Sequence, residues 1–261
     1  MQKNSRRQFI EPHEFLLIML LALLFCQFLL GSARAGESIT VSAGATMTEA
    51  MRELAATFEK QHGVQVACNF GASGQLLQQI AQGAPVDVFA SADQATMDKA
   101  QAQNLLLAET RHDFARNRLV LITPAGSRPL TALKDLARLE RIAVGNPEFV
   151  PIGRYTRKAL EPDGLWQELS PRFVMGVSVR QVLDYVARGE ADAGFVFATD
   201  AQVAGAKVQS QTDILPPLPI SYPAAVLRQS RQPGPAKAFV ALLVSAEGQA
   251  VLAHHGFIPL E

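Results

Sequence analysis

What most constrains this chain is the punctuation between its apolar runs. Four times a strand-like stretch gives way to a helix-like one through small or amide-exposing residues: Ala43-Gly44-Ala45-Thr46, Gly71-Ala72-Ser73-Gly74, Pro151-Ile152-Gly153 and Gly176-Val177-Ser178-Val179. Ser38 to Ala43 is rich in β-formers, and Met47, Ala50, Met51, Leu54, Ala55 and Phe58 then recur at helical spacing until Gln61-His62-Gly63 stops them. Val64, Val66, Cys68 and Phe70 alternate as a strand face does. Leu76, Leu77 and Ile80 mark a helix ending near Gly83-Ala84-Pro85, before an apolar strand at Val86 to Ala90 and a helix over Ala92 to Ala102. Strands are expected again at Arg118–Thr123, Arg141–Val144, Phe173–Met175 and Gly194–Ala198, with Val179, Val182, Leu183 and Val186 as one helix stripe. Tyr222 to Leu227 reads as a returning strand, and two short helices close the chain. Such alternation predicts an α/β fold. In α/β sheets these junctions gather at the carboxyl ends of the strands, where ligands bind.

The amino terminus stands outside that grammar. Arg6 and Arg7 precede an uncharged run from Phe15 to Leu30, and Gly31-Ser32-Ala33-Arg34-Ala35 ends it with small residues, the order of an export signal cleaved after Ala35. The run falls short of the roughly 20 residues that span a bilayer. Ser5-Arg6-Arg7-Gln8-Phe9-Ile10 resembles a twin-arginine address, weakened by Glu11 and Glu14, and Phe25 before Cys26 argues against a lipoprotein start. Removing 35 of 261 residues leaves 226, with Cys68 the sole cysteine, so no internal disulfide is available. Lys and Arg together number 24, as do Asp and Glu, and 48% of residues are hydrophobic, which excludes a disordered chain and gives no basic surface for nucleic acid or anionic lipid.

Each helix start offers amides that no preceding turn can satisfy and the positive end of a dipole, which suits an anion without any charged side chain. Thr46-Met47-Thr48-Glu49 also fits a capping box, and Ser73 could cap the helix that follows it. Neither junction is specific alone. Their weight comes from converging, with the backbone at Ile152 and Val179, on one cleft.

Enzyme readings fit less well. Gly71-Ala72-Ser73-Gly74-Gln75 falls short of the Gly-x-Ser-x-Gly nucleophile elbow at its last position, so a secreted serine hydrolase using Ser73 is the alternative from another class. His254 and His255 are neighbours whose side chains diverge by about 100° on a helix, a poor metal pair. The Gly44 and Gly71 loops lack a nucleotide-cradle spacing. Arg180 reads as a solvated or structural arginine, and Asp87 and Asp93 as hydrogen-bonding and capping residues.

The order of Thr46-Met47-Thr48-Glu49-Ala50-Met51, Phe70-Gly71-Ala72-Ser73, Gly83-Ala84-Pro85-Val86-Asp87-Val88-Phe89-Ala90-Ser91-Ala92-Asp93, Val144-Gly145-Asn146-Pro147-Glu148-Phe149-Val150-Pro151-Ile152-Gly153 and Val179-Arg180 resembles that of the periplasmic molybdate-binding proteins, from about Ile39 onward. The resemblance implies a type II periplasmic binding protein fold: two lobes, each a mixed sheet flanked by helices, joined by two crossing strands with the ligand in the cleft. It places residues 36–117 plus 226–261 in one lobe and 118–225 in the other. It implies molybdate, and tungstate of nearly the same size, as ligand. No cofactor is implied, and the partner would be the permease and ATPase of an ATP-binding-cassette importer. A monomer in the periplasm is expected. Thr46 and Ser73 match serines that bind the oxyanion, while Ile152 and Val179 match residues that offer backbone amides. The chain departs at Phe197, where one branch of the family has a ligand-binding tyrosine; another branch carries its tyrosine at the Ile152 position. Thr48 or Tyr155 could supply the missing hydroxyl. Sulfate or a phosphonate is the alternative ligand within the class.

Overall fold

A computed structural model describes residues 37–211 and 218–260. The expected leader, its cleavage point after Ala35 and Cys26 lie outside the described residues.

The first sheet takes β1 (Ser38–Gly44), β2 (Gln65–Gly71), β3 (Val88–Ala90), β4 (His112–Asn117) and β10 (Ile220–Val226) in the order β2-β1-β3-β10-β4. The second takes β5 (Leu119–Pro124), β6 (Ile142–Gly145), β7 (Phe173–Gly176), β8 (Ala193–Phe197) and β9 (Val208–Gln211) in the order β7-β6-β8-β5-β9. Both sheets are mixed: β1 runs parallel to β2 and β3, and β6 parallel to β7 and β8, while β10 and β5 run against their neighbours. This is the expected two-lobed arrangement.

The helices are α1 (Thr48–His62), α2 (Ser73–Ala81), α3 (Gln94–Ala102), α4 (Pro151–Leu160), α5 (Leu165–Leu169), α6 (Val179–Ala187), α7 (Ala198–Ala204), α8 (Pro233–Val244) and α9 (Ala246–His254). Six helices, α1, α2, α3, α6, α8 and α9, fall where the sequence placed them, α4 starts at the expected Pro151 junction, and α5 and α7 were not expected. Helix α1 buries Ala50, Met51, Leu54, Ala55 and Phe58, and stops because Gly63 turns left-handed at φ 68° and donates its amide back to Glu59. Asp93 caps α3 by accepting from the Thr96 amide, and Ser178 caps α6 by accepting from that of Gln181.

Two strands escaped the sequence reading, β4 and β9. Both lie at the rim of their sheets with one neighbouring strand each, so their residues need not be apolar throughout, and His112-Asp113-Phe114-Ala115-Arg116-Asn117 shows no clean period. The return to the first sheet also begins at Ile220, earlier than the boundary read at 226. Ile220, Tyr222, Ala224, Ala225 and Val226 are all buried, and the strand fills the slot between β3 and β4. Hydrogen-bonded along both of its edges, the strand is part of the first sheet over its whole length.

Register then fixes the cleft. Gly44 pairs with Gly71 at the ends of β1 and β2, and Gly145 pairs with Gly176 at the ends of β6 and β7. Parallel strands ending level with one another bring their outgoing turns side by side, so each sheet presents two helix starts to the other.

Candidate functional site

The four junctions share one hollow. Thr46 and Ser73 from the first lobe face Ile152, Val179 and Phe197 from the second across a narrow hollow, together with Gly44, Ala45, Gly71, Ala72, Ala92, Val150 and Pro151. None of these residues is charged. The walls are helix starts: the 3-10 turn Ala45–Met47 that leads into α1, and the first turns of α2, α4 and α6. Each contributes amides without an intrahelical acceptor and the positive end of its dipole.

Close packing of backbone makes this convergence possible. A Cβ on Gly153 would sit 2.0 Å from the Gly145 carbonyl oxygen, so only glycine lets α4 start hard against the end of β6. A Cβ on Gly74 would sit 2.6 Å from the Phe149 carbonyl oxygen. Without one, the Gly74 amide donates to that oxygen at 3.0 Å, a main-chain bond from lobe to lobe beside the hollow.

Ser73 is fully buried and does not cap the helix, contrary to the reading of its sequence. Helix α2 is flanked by Ala72 with no side-chain cap, and Ser73 opens the helix. Its Oγ instead accepts from the Ala92 amide at 3.0 Å. The bond spends a lone pair, and the serine proton meets no acceptor among the described residues, so it is available to a ligand.

The capping box at Thr46 is also not formed. Thr46 lies inside the 3-10 turn, no side chain caps that turn or α1, and Glu49 turns away to pair with Arg180. The Thr46 hydroxyl crosses to the second lobe, donating to Asp200 Oδ2 at 2.8 Å and lying 3.0 Å from Thr199 Oγ1. A charged acceptor across the cleft outcompetes the local amide because hydrogen bonds to ionised groups are roughly twice as strong.

Thr48 and Tyr155 do not line the hollow. The Thr48 hydroxyl donates to the Ala45 carbonyl at 2.7 Å, closing the turn that holds Thr46. Tyr155 is half-buried and packs edge-on against Phe197, ring centroids 6.1 Å apart; burial, with the Asp93 charge second, pushes its phenol upward, so it stays neutral. Phe197 is buried and also meets Tyr222 edge-on at 5.5 Å. No side-chain hydroxyl therefore stands at either family tyrosine position.

Two arginines tie the lobes at the edges of the hollow. Arg154 of α4 donates from Nε to Asp93 Oδ2 and from Nη2 to Thr96 Oγ1, both at 2.7 Å, and steadies its own loop through the Pro147 and Glu148 carbonyls. Arg180 of α6 pairs with Glu49 on the first lobe and approaches Asp200 Oδ1 at 3.1 Å. Both are structural, as expected of Arg180 and Asp93. Asp87 likewise accepts from the Thr40 amide and the Ser230 hydroxyl. His255 pairs with Glu53 at 2.7 Å, and among the described residues no group of three or more metal-ligating side chains forms.

Sequence reasoning missed the buried polar cluster joined to Thr46. Asn117 at the end of β4 donates to Thr199 Oγ1 at 3.0 Å and to Tyr222 Oη at 3.1 Å, and Asp200 is fully buried, its carboxyl pushed up to about 6 mainly by that burial. The local signal was Thr199-Asp200 directly after an apolar strand, which reads as a helix start and nothing more.

Comparison with known proteins points the same way. Residues 39–258 match the family model described as bacterial extracellular solute-binding protein. The molybdate-binding protein ModA of Escherichia coli is 36% identical over 236 residues, covering 87% of this chain and 91% of that one. YvgL of Bacillus subtilis, named as a substrate-binding lipoprotein of an ABC transporter, is 34% identical over 84% of this chain and 86% of its own length. Among solved structures, the periplasmic molybdate-binding protein of Azotobacter vinelandii superposes with a TM-score of 0.77 at 28% identity, over 85% of this chain and all of that one. These relatives are binding proteins and not enzymes, which removes the serine-hydrolase alternative.

Proposed function

The chain belongs to the bacterial extracellular solute-binding proteins, and on that premise we propose that it captures molybdate, and tungstate with it, for delivery to an ATP-binding-cassette importer. The observation that carries the reading is the uncharged hollow walled by four helix starts, with the Ser73 proton unspent. A dianion held by dipoles and neutral donors is bound without a buried counter-ion that the importer would have to strip away. Thr46, Ser73, Ile152 and Val179 are the proposed donors: the amides of all four, plus the Ser73 hydroxyl. Phe197 supplies an apolar wall in place of the family hydroxyl. The protein is exported by the leader, cleaved after Ala35, and works outside the cytoplasm as a monomer whose lobes close on the ligand.

Size gives selectivity. Donors spaced for a larger tetrahedron leave a smaller one such as sulfate with unpaired partners, each worth about 1–3 kcal/mol when buried. Tungstate matches molybdate in size and is not rejected. Isothermal titration of the mature protein against molybdate, tungstate, sulfate and phosphate tests this. Heat from the first two and none from sulfate is expected, and Ser73→Ala should weaken molybdate binding at least several-fold while its melting temperature stays within a few degrees. Sulfate binding more tightly than molybdate would replace the ligand; no binding to any of the four would refute the reading.

A further inference from the structure

The Thr46 hydroxyl lines the hollow yet has nothing left to offer a ligand. It carries one proton and two lone pairs. The Asp200 carboxylate, 2.8 Å away, can only accept, so the proton is committed there. Thr199 Oγ1, 3.0 Å away, already accepts from Asn117, which leaves its own proton to bridge toward Thr46. Donors thus run from Asn117 through Thr199 to Thr46 and end on Asp200, all of them buried.

Nor can the Thr46 proton turn to a ligand without cost. Asp200 is fully buried, and its other oxygen has Arg180 Nε at 3.1 Å in an ion pair that falls outside hydrogen-bond geometry. Losing Thr46 would take away the one side-chain hydrogen bond this carboxylate accepts and leave it the Arg180 ion pair alone, which is costly for a buried charge. Thr46 sits on the first lobe and Asp200 on the second, so the same bond also spans the cleft.

We propose that Asp200 is a positioning residue that withholds the Thr46 proton from the bound oxyanion, so that Thr46 grips through its main-chain amide alone and the site binds less tightly than its donors allow. This rests on the anion-binding reading above. Asp200 does not touch the ligand; it acts through Thr46, while Arg180, itself shared with Glu49, balances its charge.

The test is a double-mutant cycle read by isothermal titration, using whichever of molybdate, tungstate, sulfate and phosphate the parent binds. Asp200→Asn keeps the shape of the carboxylate; with its carbonyl oxygen turned to the Arg180 donor its NH2 faces Thr46, which releases the Thr46 proton and should tighten binding by about tenfold, the worth of a hydrogen bond to a charged group. A purely structural role predicts the opposite sign. Thr46→Val should then cost several-fold more affinity in the Asp200→Asn background than in the parent. Weaker binding by a folded Asp200→Asn protein, or an equal cost of Thr46→Val in both backgrounds, overturns the proposal. If Asp200→Asn does not fold, Thr46→Val and Ser73→Ala are compared in the parent: a loss at Thr46 smaller than at Ser73 supports the proposal, and an equal or larger one refutes it. A parent that binds none of the four anions refutes the functional reading itself, which the variants do not probe.

Discussion

Replacing Gly153 by alanine separates two effects of opposite sign at the edge of the site. In the interior of a helix alanine is favoured over glycine by about 1 kcal/mol. Here the added Cβ would lie 2.0 Å from the Gly145 carbonyl oxygen, 2.6 Å from its carbon and 2.9 Å from the Pro147 nitrogen, where ordinary contact is 3.4–4 Å. All three are main-chain atoms and cannot rotate aside, so α4 must retreat from β6 by more than an ångström. Overpacking of this kind costs about 1–3 kcal/mol or more, and it outweighs the gain in propensity. At roughly 2–4 °C per kcal/mol for a chain of this size, Gly153→Ala should melt several degrees below the parent. The Ile152 amide moves with its neighbour, and a displacement of about 1 Å takes it out of hydrogen-bond range, weakening molybdate binding by about tenfold or more. Thermal unfolding by circular dichroism and isothermal titration read the two effects. Gly234→Ala serves as the control, since nothing lies within 4 Å of its Cβ position. A Gly153→Ala protein that melts with the parent and binds within about twofold of it would refute the account of how α4 is seated.

Three further outcomes are expected. Phe197→Tyr restores a hydroxyl on the wall of the hollow and should tighten molybdate binding by up to about tenfold in titration; a loss would mean the pocket is built around the unsubstituted ring. Arg154→Met removes the bridge to the buried Asp93 and to Thr96, so stopped-flow dissociation should speed up by about tenfold while association changes little; unchanged dissociation would show that the bridge does not hold the lobes closed. Asp200 has a folded pKa of about 6 against 3.8, so the folded state binds the extra proton and this group adds stability as pH falls through 6, up to about 3 kcal/mol below both values. Urea unfolding of the unliganded protein at about pH 7.5 and about pH 4.5 should therefore show the parent gaining relative to Asp200→Asn at the lower pH, and parallel behaviour would remove Asp200 from the buried set.

The elements with strong periods were legible in the sequence because burial of one face dictates the spacing of apolar residues, as in Met51, Leu54 and Phe58 of α1. The helix starts that carry Ser73, Ile152 and Val179 to the hollow were legible because they are set by local structure. Thr46 was legible in position but not in what its hydroxyl does. The Thr-x-x-Glu spacing describes a local cap, whereas Asp200 and Arg180 arrive from the other lobe and capture both its members. Edge strands β4 and β9 escaped for a related reason, since a strand with one neighbouring strand tolerates a mixed pattern.

The sequence by itself determined the α/β alternation, the helix starts and the absence of charge at their junctions, because each follows from short-range sterics and the period of burial. Only the tertiary structure decided which protons face the hollow. Thr199 and Asp200 meet Thr46, and Asn117 joins Thr199 to Tyr222, through contacts far apart in the chain, and the direction of a hydroxyl is set by whichever acceptor the other lobe brings within reach.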